Sequence, residues 1–248
     1  MAKKERADQL IHEAGLAESR EKAKRLVMAG QVYLLRNGVP EPVQKPGQKL
    51  DLETEFEVRG VERFVSRGAY KLLTAIEHFG ITVEGLVALD AGASTGGFTD
   101  CLLQHGALRV YAADVGYGQL HEKLRQDPRV INLERTNLRL ATPDLIPEPV
   151  DVVVADVSFI SLTLILPPCV QFMRDGGVLA VLIKPQFELG PDRTDKGVVR
   201  DPELHQEAID KVCSFAREQL GLTIEGVVPS SIKGPKGNQE FIAYMKKG

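Results

Sequence analysis

The chain has 248 residues, of which 43% are hydrophobic and 26% charged, and its formal net charge is -3. This composition is typical of a folded globular protein and excludes a disordered chain, a collagen and a coiled coil. The longest apolar run, Gly177 to Ile183, is far shorter than the ~20 residues that cross a bilayer. The three cysteines are far apart and lack metal-ligand spacing, so we expect reduced core thiols, no metal site and a cytoplasmic location.

The first 60 residues predict a small α+β domain. Leu10, Ile11 and Ala14 have helical spacing, and Ser19 is a suitable N-cap for a second helix that ends at Gly30. Two strand-like segments follow, QVYLLRNG and QKLDLETEFEV, each next to turn residues.

From Val65 onward, apolar strand-like segments alternate with helical segments. The strand-like segments are LVALD, RVYAAD, RVINLE, VDVVVAD, GVLAVLIK, TIEGVVPSS and QEFIAYMKK. The helical segments are GGFTDCLLQHG, GQLHEKLRQ, TLILPPCVQFMRDG and PELHQEAIDKVCSFAREQLG. This alternation predicts an α/β fold with a mostly parallel seven-stranded sheet, covered by helices on both faces, in which the last strand is antiparallel. We therefore expect two domains, residues 1–60 and 61–248.

A glycine-rich turn, DAGASTGGF, follows the first strand of this sheet and opens a helix. Glycines let the backbone turn sharply and approach a ligand closely. The pattern is not the dinucleotide-binding GxGxxG, because Ser94 occupies the second glycine position, so a nicotinamide oxidoreductase is the weakest interpretation. Asp114 ends the next strand, where it could hold a ribose or merely cap a surface helix.

Four scattered charged residues are candidates for a ligand site, which an open parallel sheet forms beyond the carboxyl ends of its strands. Asp156 and Lys184 end the fourth and fifth strands. Lys71 precedes the first strand, and Glu240 opens the last. A lysine that ends a buried strand is costly unless it is paired. Taken singly, Lys71 could be an exposed helix lysine and Glu240 a solvated strand residue.

These motifs together resemble a known family. SRGAYKL, DAGASTGGFTD, DVSFISL, IKPQFE, KGVVRDP and GPKGNQEF are similar to motifs of the hemolysin A (TlyA) family of rRNA 2'-O-methyltransferases. The catalytic domain of that family is of the FtsJ type, a Rossmann-like methyltransferase. The segment RADQLIHEAGLAESREKAKRLVMAGQVYL resembles an S-four-type RNA-binding domain. The resemblance implies S-adenosyl-L-methionine as cofactor and the 2'-hydroxyl of a ribosomal RNA nucleotide, a cytidine, as methyl acceptor.

The resemblance also implies a catalytic tetrad of Lys71, Asp156, Lys184 and Glu240. Lys184 would act as base or orient the hydroxyl, because a free 2'-hydroxyl is a poor nucleophile. Asp156 and Lys71 would set its ionisation, and Glu240 would position Lys71 or the ribose. The residues implied for cofactor binding are Asp90, Gly92, Ser94, Gly96, Gly97, Phe98, Asp114, Asn137 and Asp156. Asn137 departs from the pattern of many methyltransferases, which have an acid near the adenine.

The N-terminal domain is expected to hold ribosomal RNA or a ribosomal subunit. The net charge is +3 over the first 40 residues and -6 over the rest. The positive charge of the first 40 residues suits contact with RNA phosphates. Only one aromatic residue lies in this stretch, which favours recognition of the RNA backbone over base stacking. A solvated helix face is the alternative. The residues expected to contact RNA are Arg6, Arg20, Lys24, Arg25 and Arg67.

Two other classes of function stay open on the sequence. The chain could be an RNA-binding ribosome assembly factor whose methyltransferase core is silent, although the complete set of four charged residues argues against this. It could also be a pore-forming haemolysin, as the family name suggests, although no amphipathic or apolar membrane segment supports that and no membrane partner is expected. The sequence indicates no particular oligomeric state.

Overall fold

A computed structural model of the chain describes residues 4–36, 38–60 and 63–248. The chain forms two compact units, residues 1–63 (the N-terminal unit) and residues 64–248 (the C-terminal unit). Phe64 is 3% exposed within the core of the C-terminal unit, and Val65 N–H donates to Asp100 Oδ2 at 2.8 Å. The C-terminal unit therefore begins at Phe64. The predicted boundary after residue 60 adjoins residues 61 and 62, which lie outside the described residues.

The N-terminal unit packs two helices with two small antiparallel sheets. Its elements are β1 (Lys4–Arg6), α1 (Ala7–Glu13), α2 (Arg20–Met28), β2 (Val32–Arg36), β3 (Val39–Pro42), β4 (Lys49–Asp51) and β5 (Phe56–Val58). β1 pairs with β4, and β2 lies between β3 and β5. Ser19 caps α2 as predicted, since its Oγ accepts Lys22 N–H at 3.2 Å. Apolar residues of both helices and of β2 share one buried core that holds the unit together.

The strands of the N-terminal unit differ in part from the prediction. QKLDLETEFEV forms two strands, β4 and β5, because a turn intervenes in which Thr54 N–H and Oγ1 both donate to the Asp51 carbonyl, at 3.0 and 2.7 Å. The sequence pattern did not predict β1 or β3. β3 contains two prolines, which it tolerates as an edge strand. Asn37, in the predicted turn after β2, lies outside the described residues.

The C-terminal unit confirms the predicted α/β fold with a seven-stranded, mostly parallel sheet. Its strands are β6 (Val87–Ala91), β7 (Arg109–Ala113), β8 (Val130–Leu133), β9 (Val150–Ala155), β10 (Met173–Ile183), β11 (Leu222–Pro229) and β12 (Phe241–Lys247). Its helices are α3 (Ala69–Phe79), α4 (Gly97–Gln104), α5 (Glu122–Arg125), α6 (Leu166–Val170), α7 (Pro185–Glu188) and α8 (Pro202–Leu220). Short 3-10 helices in its connections are Leu138–Leu140, Pro143–Leu145, Leu162–Leu164, Pro191–Arg193 and Pro235–Gly237.

The strand order, β11-β12-β10-β9-β6-β7-β8, decides where the functional residues meet. β6 to β10 are mutually parallel, and β12 is antiparallel to both of its neighbours, as predicted for the last strand. The carboxyl ends of the other six strands and the beginning of β12 therefore lie at one edge of the sheet, which we call the carboxyl edge.

Both faces of the sheet are covered because residues of its central strands alternate between two cores. Leu89 and Ala91 face the core that contains α6 and α8, whereas Ala88 faces the core that contains α3 and α4. Cys101, Cys169 and Cys213 are all buried, as expected of core residues.

Two predicted helices are shorter than expected. TLILPPCVQFMRDG yields a 3-10 helix and α6, which ends at Val170, and its last residues already belong to β10. β10 includes these residues because its pairing with β9 shifts register between Met173 and Val178, and this irregularity accommodates Gly176, which has a φ of 77°. GQLHEKLRQ yields only the single turn α5, which ends shortly before Pro128.

Because each unit has its own core, a fragment of residues 64–248 should fold alone. We expect one cooperative urea transition by circular dichroism. A fragment that begins at residue 66 lacks the buried Phe64 ring and should be less stable by about 3–5 kcal/mol. A non-cooperative transition for residues 64–248, or equal stability of the two fragments, would contradict this assignment.

Candidate active site

The four charged residues singled out from the sequence meet at the carboxyl edge. Asp156 follows β9, Lys184 follows β10, and Glu240 immediately precedes β12. β10 and β12 are neighbours with Ile183 opposite Phe241, so Lys184 and Glu240 leave adjacent strand ends. Lys71 lies in the first turn of α3, the helix that leads back to the beginning of β6.

These four side chains form a row of alternating charge, which we call the charged row. Lys71 Nζ lies 2.8 Å from Glu240 Oε2 and 3.5 Å from Asp156 Oδ2. Lys184 Nζ lies 2.5 Å from Asp156 Oδ1 and donates to Ser158 Oγ at 2.9 Å. The Lys71–Glu240 contact is an ion pair without the alignment of a hydrogen bond. Each lysine therefore has at least one carboxylate neighbour.

The charged row is largely removed from water. Lys71 is 8% exposed, Lys184 6% and Glu240 0%, whereas the Asp156 side chain is 20% exposed. The alternative interpretations of Lys71 as an exposed helix lysine and of Glu240 as a solvated strand residue are therefore wrong. Buried charges are tolerated when they are paired, so removal of one member would leave an uncompensated charge behind.

Glu240 is enclosed by two residues that sequence reasoning did not single out. A Cβ at Gly234 would lie 2.0 Å from Glu240 Oε1, so only glycine fits this position without a shift. Gln186 Nε2 lies 3.5 Å from the same oxygen, from α7. Both residues belong to quoted motifs, GPKGNQEF and IKPQFE, which are the only signal that could have found them.

Glu188, at the end of α7, fixes the loop that follows Asp156. This buried carboxylate accepts Ser161 Oγ–H at 2.5 Å and Leu162 N–H at 2.8 Å. The loop is thus attached at both ends to the short segment 184–188, because Lys184 binds its beginning and Glu188 its end.

Phe159 is the exposed tip of this loop. Its φ of 63° lies in the left-handed region, its side chain is 90% exposed, and its ring centroid is 5.0 Å from that of Phe187. A large aromatic side chain held out into solvent by a strained backbone suggests contact with a ligand. Periodicity did not reveal it, because a lone loop aromatic gives no signal of its exposure.

Asp90, at the end of β6, has one satisfied and one unsatisfied carboxylate oxygen. Thr99 Oγ1 donates to Oδ2 at 2.7 Å, while Oδ1 is buried and has no partner within the described part of the chain. Burial raises the pKa of Asp90 to about 7, and the neighbouring charge of Asp156 adds to the rise. Burial therefore disfavours the ionised form of this carboxyl group.

The glycines of the turn allow close packing of its backbone. A Cβ at Gly92 would lie 3.0 Å from the Asp156 carbonyl oxygen, and one at Gly97 would lie 2.4 Å from Ser66 Oγ. Ser94, which replaces a glycine, has a φ of 48°. The turn thus passes directly beside the backbone of the charged row.

Asp114 connects the turn to the loop after β7. Its Oδ2 accepts Ser94 N–H at 2.8 Å and its Oδ1 accepts Gly116 N–H at 2.7 Å. The helix-cap interpretation is wrong, because His121 caps α5.

Three other residues predicted for cofactor binding make packing or capping contacts within the C-terminal unit. Phe98 is the second residue of α4 and is buried in the core. Gly96 has a φ of 92° and packs on leucine side chains around α5. Asn137 Oδ1 accepts Arg139 N–H at 3.2 Å and so caps the 3-10 helix Leu138–Leu140.

Of the residues expected to contact RNA, the two nearest the N-terminus share a buried carboxylate. Arg6 donates two hydrogen bonds to Asp8, at 3.0 and 2.7 Å, and Arg20 Nε lies 3.3 Å from Asp8 Oδ1. These arginines hold the pKa of Asp8 below its usual range. Both guanidinium groups remain partly exposed and are fixed in position by this contact.

The remaining three expected RNA contacts are exposed basic side chains. Lys24 lies 3.7 Å from Glu21 on the surface of α2. Arg25 and Arg67 have no acidic partner within 4.0 Å among the residues that the structure describes.

Family models match both units. The model of FtsJ-like methyltransferases matches residues 64–247, and the model of the S4 domain matches residues 5–55. The chain is 46% identical to the 16S/23S rRNA (cytidine-2'-O)-methyltransferase TlyA of Mycobacterium tuberculosis over 99% of this chain and 91% of that protein. It is 41% identical to hemolysin A of Brachyspira hyodysenteriae, over 97% and 99% of the two chains. A solved structure from Streptococcus thermophilus, 45% identical, superposes with a TM-score of 0.73 and covers all of this chain and 90% of that one.

Asp90 should make the stability of the ligand-free protein depend on pH. Its folded pKa of about 7 lies above the ordinary value of 3.8, so its contribution to stability is complete below pH ~4 and is lost as the pH rises to about 7. Asp90→Asn cannot lose this proton. The melting temperature of the variant, relative to the wild type, should therefore rise between pH 5 and pH 8.

Asp127→Asn is the matched control. Arg129 lowers the pKa of Asp127, so the effect of that substitution should be constant over the same pH range. A pH-independent difference for Asp90→Asn as well would show that Asp90 is ionised throughout.

Proposed function

The chain belongs to the hemolysin A (TlyA) family of FtsJ-like methyltransferases, and we propose that it transfers a methyl group from S-adenosyl-L-methionine to the ribose 2'-hydroxyl of a cytidine in ribosomal RNA. The relative from Mycobacterium tuberculosis carries the name of this activity on 16S and 23S rRNA. The observation that carries the proposal is the charged row, which stands at the carboxyl edge directly beside the glycine turn. The proposed substrate also implies a cytoplasmic location, where ribosomal RNA is modified.

The residues present fit S-adenosyl-L-methionine. Asp90 offers a buried acceptor without a partner among the described residues, which an amino group would satisfy. Asp114 directly follows the neighbouring strand, β7, and already fixes the turn, so its remaining lone pairs suit the ribose hydroxyls. When bound, this cofactor supplies a methyl group on a positively charged sulfur. We assign the turn from Asp90 to Phe98, together with Asp114, to its binding.

Lys184 is the residue we assign to the 2'-hydroxyl. An ammonium group has three donors and no acceptor, so the charged side chain can orient the 2'-oxygen and offset the negative charge that develops as the proton leaves. Only the neutral amine could take that proton. Asp156 Oδ1 lies 2.5 Å from Lys184 Nζ, and Lys71 Nζ lies 3.5 Å from the other oxygen of the same carboxylate, so Asp156 holds Lys184 in place.

Lys71 and Glu240 lie on the side of Asp156 that is opposite Lys184, and they support Asp156 from there. Glu240 is fully buried and neutralises Lys71, and Lys71 in turn holds Asp156 from the side opposite Lys184. The result is a fixed position for the Lys184 Nζ atom. Positioning of this kind is the main requirement of a methyl transfer, in which the attacking oxygen must be in line with the breaking bond.

Phe159 suits the base of the target nucleotide. Sequence-specific recognition of RNA commonly stacks an unpaired base on an aromatic side chain. The exposed ring of Phe159 lies in the loop that carries Asp156 and Ser158, so a base stacked on it would bring its ribose towards the charged row.

The N-terminal unit is proposed to hold the RNA backbone. The S4 domain match covers this unit, and its exposed basic residues include Lys24 and Arg25 on α2. Arg6 and Arg20 are held in fixed positions by Asp8, which reduces the entropy that each would lose on phosphate contact.

Two competing functions, an assembly factor with a silent methyltransferase core and a haemolysin, can each be distinguished from methyl transfer by one assay. A silent core would show no methyl transfer despite cofactor binding. A haemolysin would release the contents of liposomes as pure protein, and among the described residues no helix is long and apolar enough to cross a membrane. The complete charged row beside the glycine turn favours methyl transfer over both.

Lys184→Met should reduce methyl transfer to rRNA by ~100-fold or more, because the 2'-oxygen loses its positioned partner. Cofactor affinity, measured by calorimetry, should change little. Since Lys184→Met leaves Asp156 with one cation fewer, the double variant Lys184→Met/Asp156→Asn should recover thermal stability without recovering activity. Wild-type turnover in Lys184→Met would remove Lys184 from the mechanism.

Loss of the N-terminal unit should weaken RNA binding more than cofactor binding. For residues 64–248, the log-log salt slope of rRNA binding should flatten by about 0.7–0.9 for each phosphate that residues 1–63 bind in the full chain. The full chain is the reference, and calorimetry with S-adenosyl-L-methionine checks that the fragment is folded. Equal salt slopes would refute an RNA-binding function of residues 1–63.

A further inference from the structure

Strained backbone is concentrated at the carboxyl edge. Within the described part of the chain, the non-glycine residues with positive φ are Ser94, Arg135, Phe159, Lys196 and Lys236. All five follow a strand of the sheet or precede β12 at this edge. Such strain persists at sites where the side chain has a use that offsets its cost. The two lysines, with φ values of 50° and 56°, have no part in the charged row or in the cofactor turn.

Buried Asn238 joins the two loops that carry these lysines. Its Nδ2 donates to the Gly197 carbonyl at 2.9 Å and to the Pro235 carbonyl at 3.1 Å, while its Oδ1 accepts Val199 N–H at 3.0 Å. Lys236 Nζ also donates to the Lys196 carbonyl at 2.9 Å. The two loops are therefore one connected surface rather than two independent segments.

Three lysines on this surface have unneutralised charges. Lys196, Lys233 and Lys236 are exposed, and none has a carboxylate within 4.0 Å among the described residues. Arg193 and Arg200, in the same loop as Lys196, differ, since each is paired with a carboxylate at 2.7 Å. The lysines are thus the basic groups of this surface that are available to an anion.

The surface adjoins the charged row. Gly234, between Lys233 and Lys236, packs so closely on Glu240 that an added Cβ would lie 2.0 Å from its carboxylate. An anion bound by these lysines would therefore lie beside the site of methyl transfer, and RNA that reaches this site carries a phosphate on each side of the target ribose.

We propose that Lys196, Lys233 and Lys236 form a phosphate-binding site, the lysine site, that holds the RNA backbone next to the target nucleotide. The proposal rests on the proposed function and adds a backbone contact in the C-terminal unit itself. Lysines bind phosphate as point charges without bidentate geometry, so the lysine site positions the strand and does not read its sequence.

Glycine substitutions separate a role of these lysines in folding from a role in binding. Glycine adopts positive φ without strain, so Lys196→Gly/Lys236→Gly should melt at the wild-type temperature or above it. If the lysines bind phosphate, KM for rRNA should nevertheless rise by about tenfold, with kcat within about twofold of wild type. The log-log salt slope of RNA binding should flatten by about 0.7–0.9 for each phosphate that the variant no longer binds.

Lys246→Ala in the full chain is the matched control, because this exposed lysine lies near the far end of β12, about 20 Å along the strand from Glu240. It should leave KM and the salt slope unchanged. A wild-type KM and salt slope in the glycine double variant would overturn the lysine site, as would a fall in kcat alone. RNA affinity measured by filter binding without cofactor tests the lysine site even if the wild type fails to methylate rRNA, which would refute the proposed function instead.

Discussion

The carboxylate of Asp156, held between two buried lysines, is the interaction on which the C-terminal unit depends. Lys71 is carried by α3, Lys184 by the end of β10, and Glu240, the partner of Lys71, by the beginning of β12. Each of these charges would be costly to bury without the others, so the helix and the strand ends must adopt one mutual arrangement. The polar groups thereby constrain the fold at the edge, where apolar packing alone would specify it less tightly.

Much of this arrangement could be predicted from the sequence, because continuous apolar runs such as VDVVVAD are buried on both faces and identify parallel strands. The motifs then located Lys184 at the end of a parallel strand and Glu240 at the beginning of the last strand, and the antiparallel direction of that strand places both at one edge. Prediction failed where tertiary contacts override local pattern. β10 extends into a glycine-containing segment that resembled a helix end, and β3 forms despite its prolines because it pairs on one side only.

The supporting residues of the site were harder to find. Glu188 and Gln186 are polar residues in a short helix, a position that ordinarily suggests exposure, yet Glu188 is buried because it satisfies Ser161 and Leu162 N–H across the edge. Gly234 has no pattern of its own, since its role is to leave room for Glu240. Such roles depend on what lies opposite in space, which periodicity does not report.

The position of β12 has a consequence for the order in which the chain is synthesised. β12 lies between β10 and β11, although both precede it in the sequence. During translation, β10 therefore keeps an unpaired edge, and Lys71 lacks Glu240, the nearer of its two carboxylate partners, until residues 240–247 emerge from the ribosome. An open edge of this kind invites pairing with other chains. Synthesis from the N-terminus therefore delays both the closure of the sheet and the neutralisation of the charged row until β12 is made. A nascent chain thus cannot transfer a methyl group before its sheet is complete.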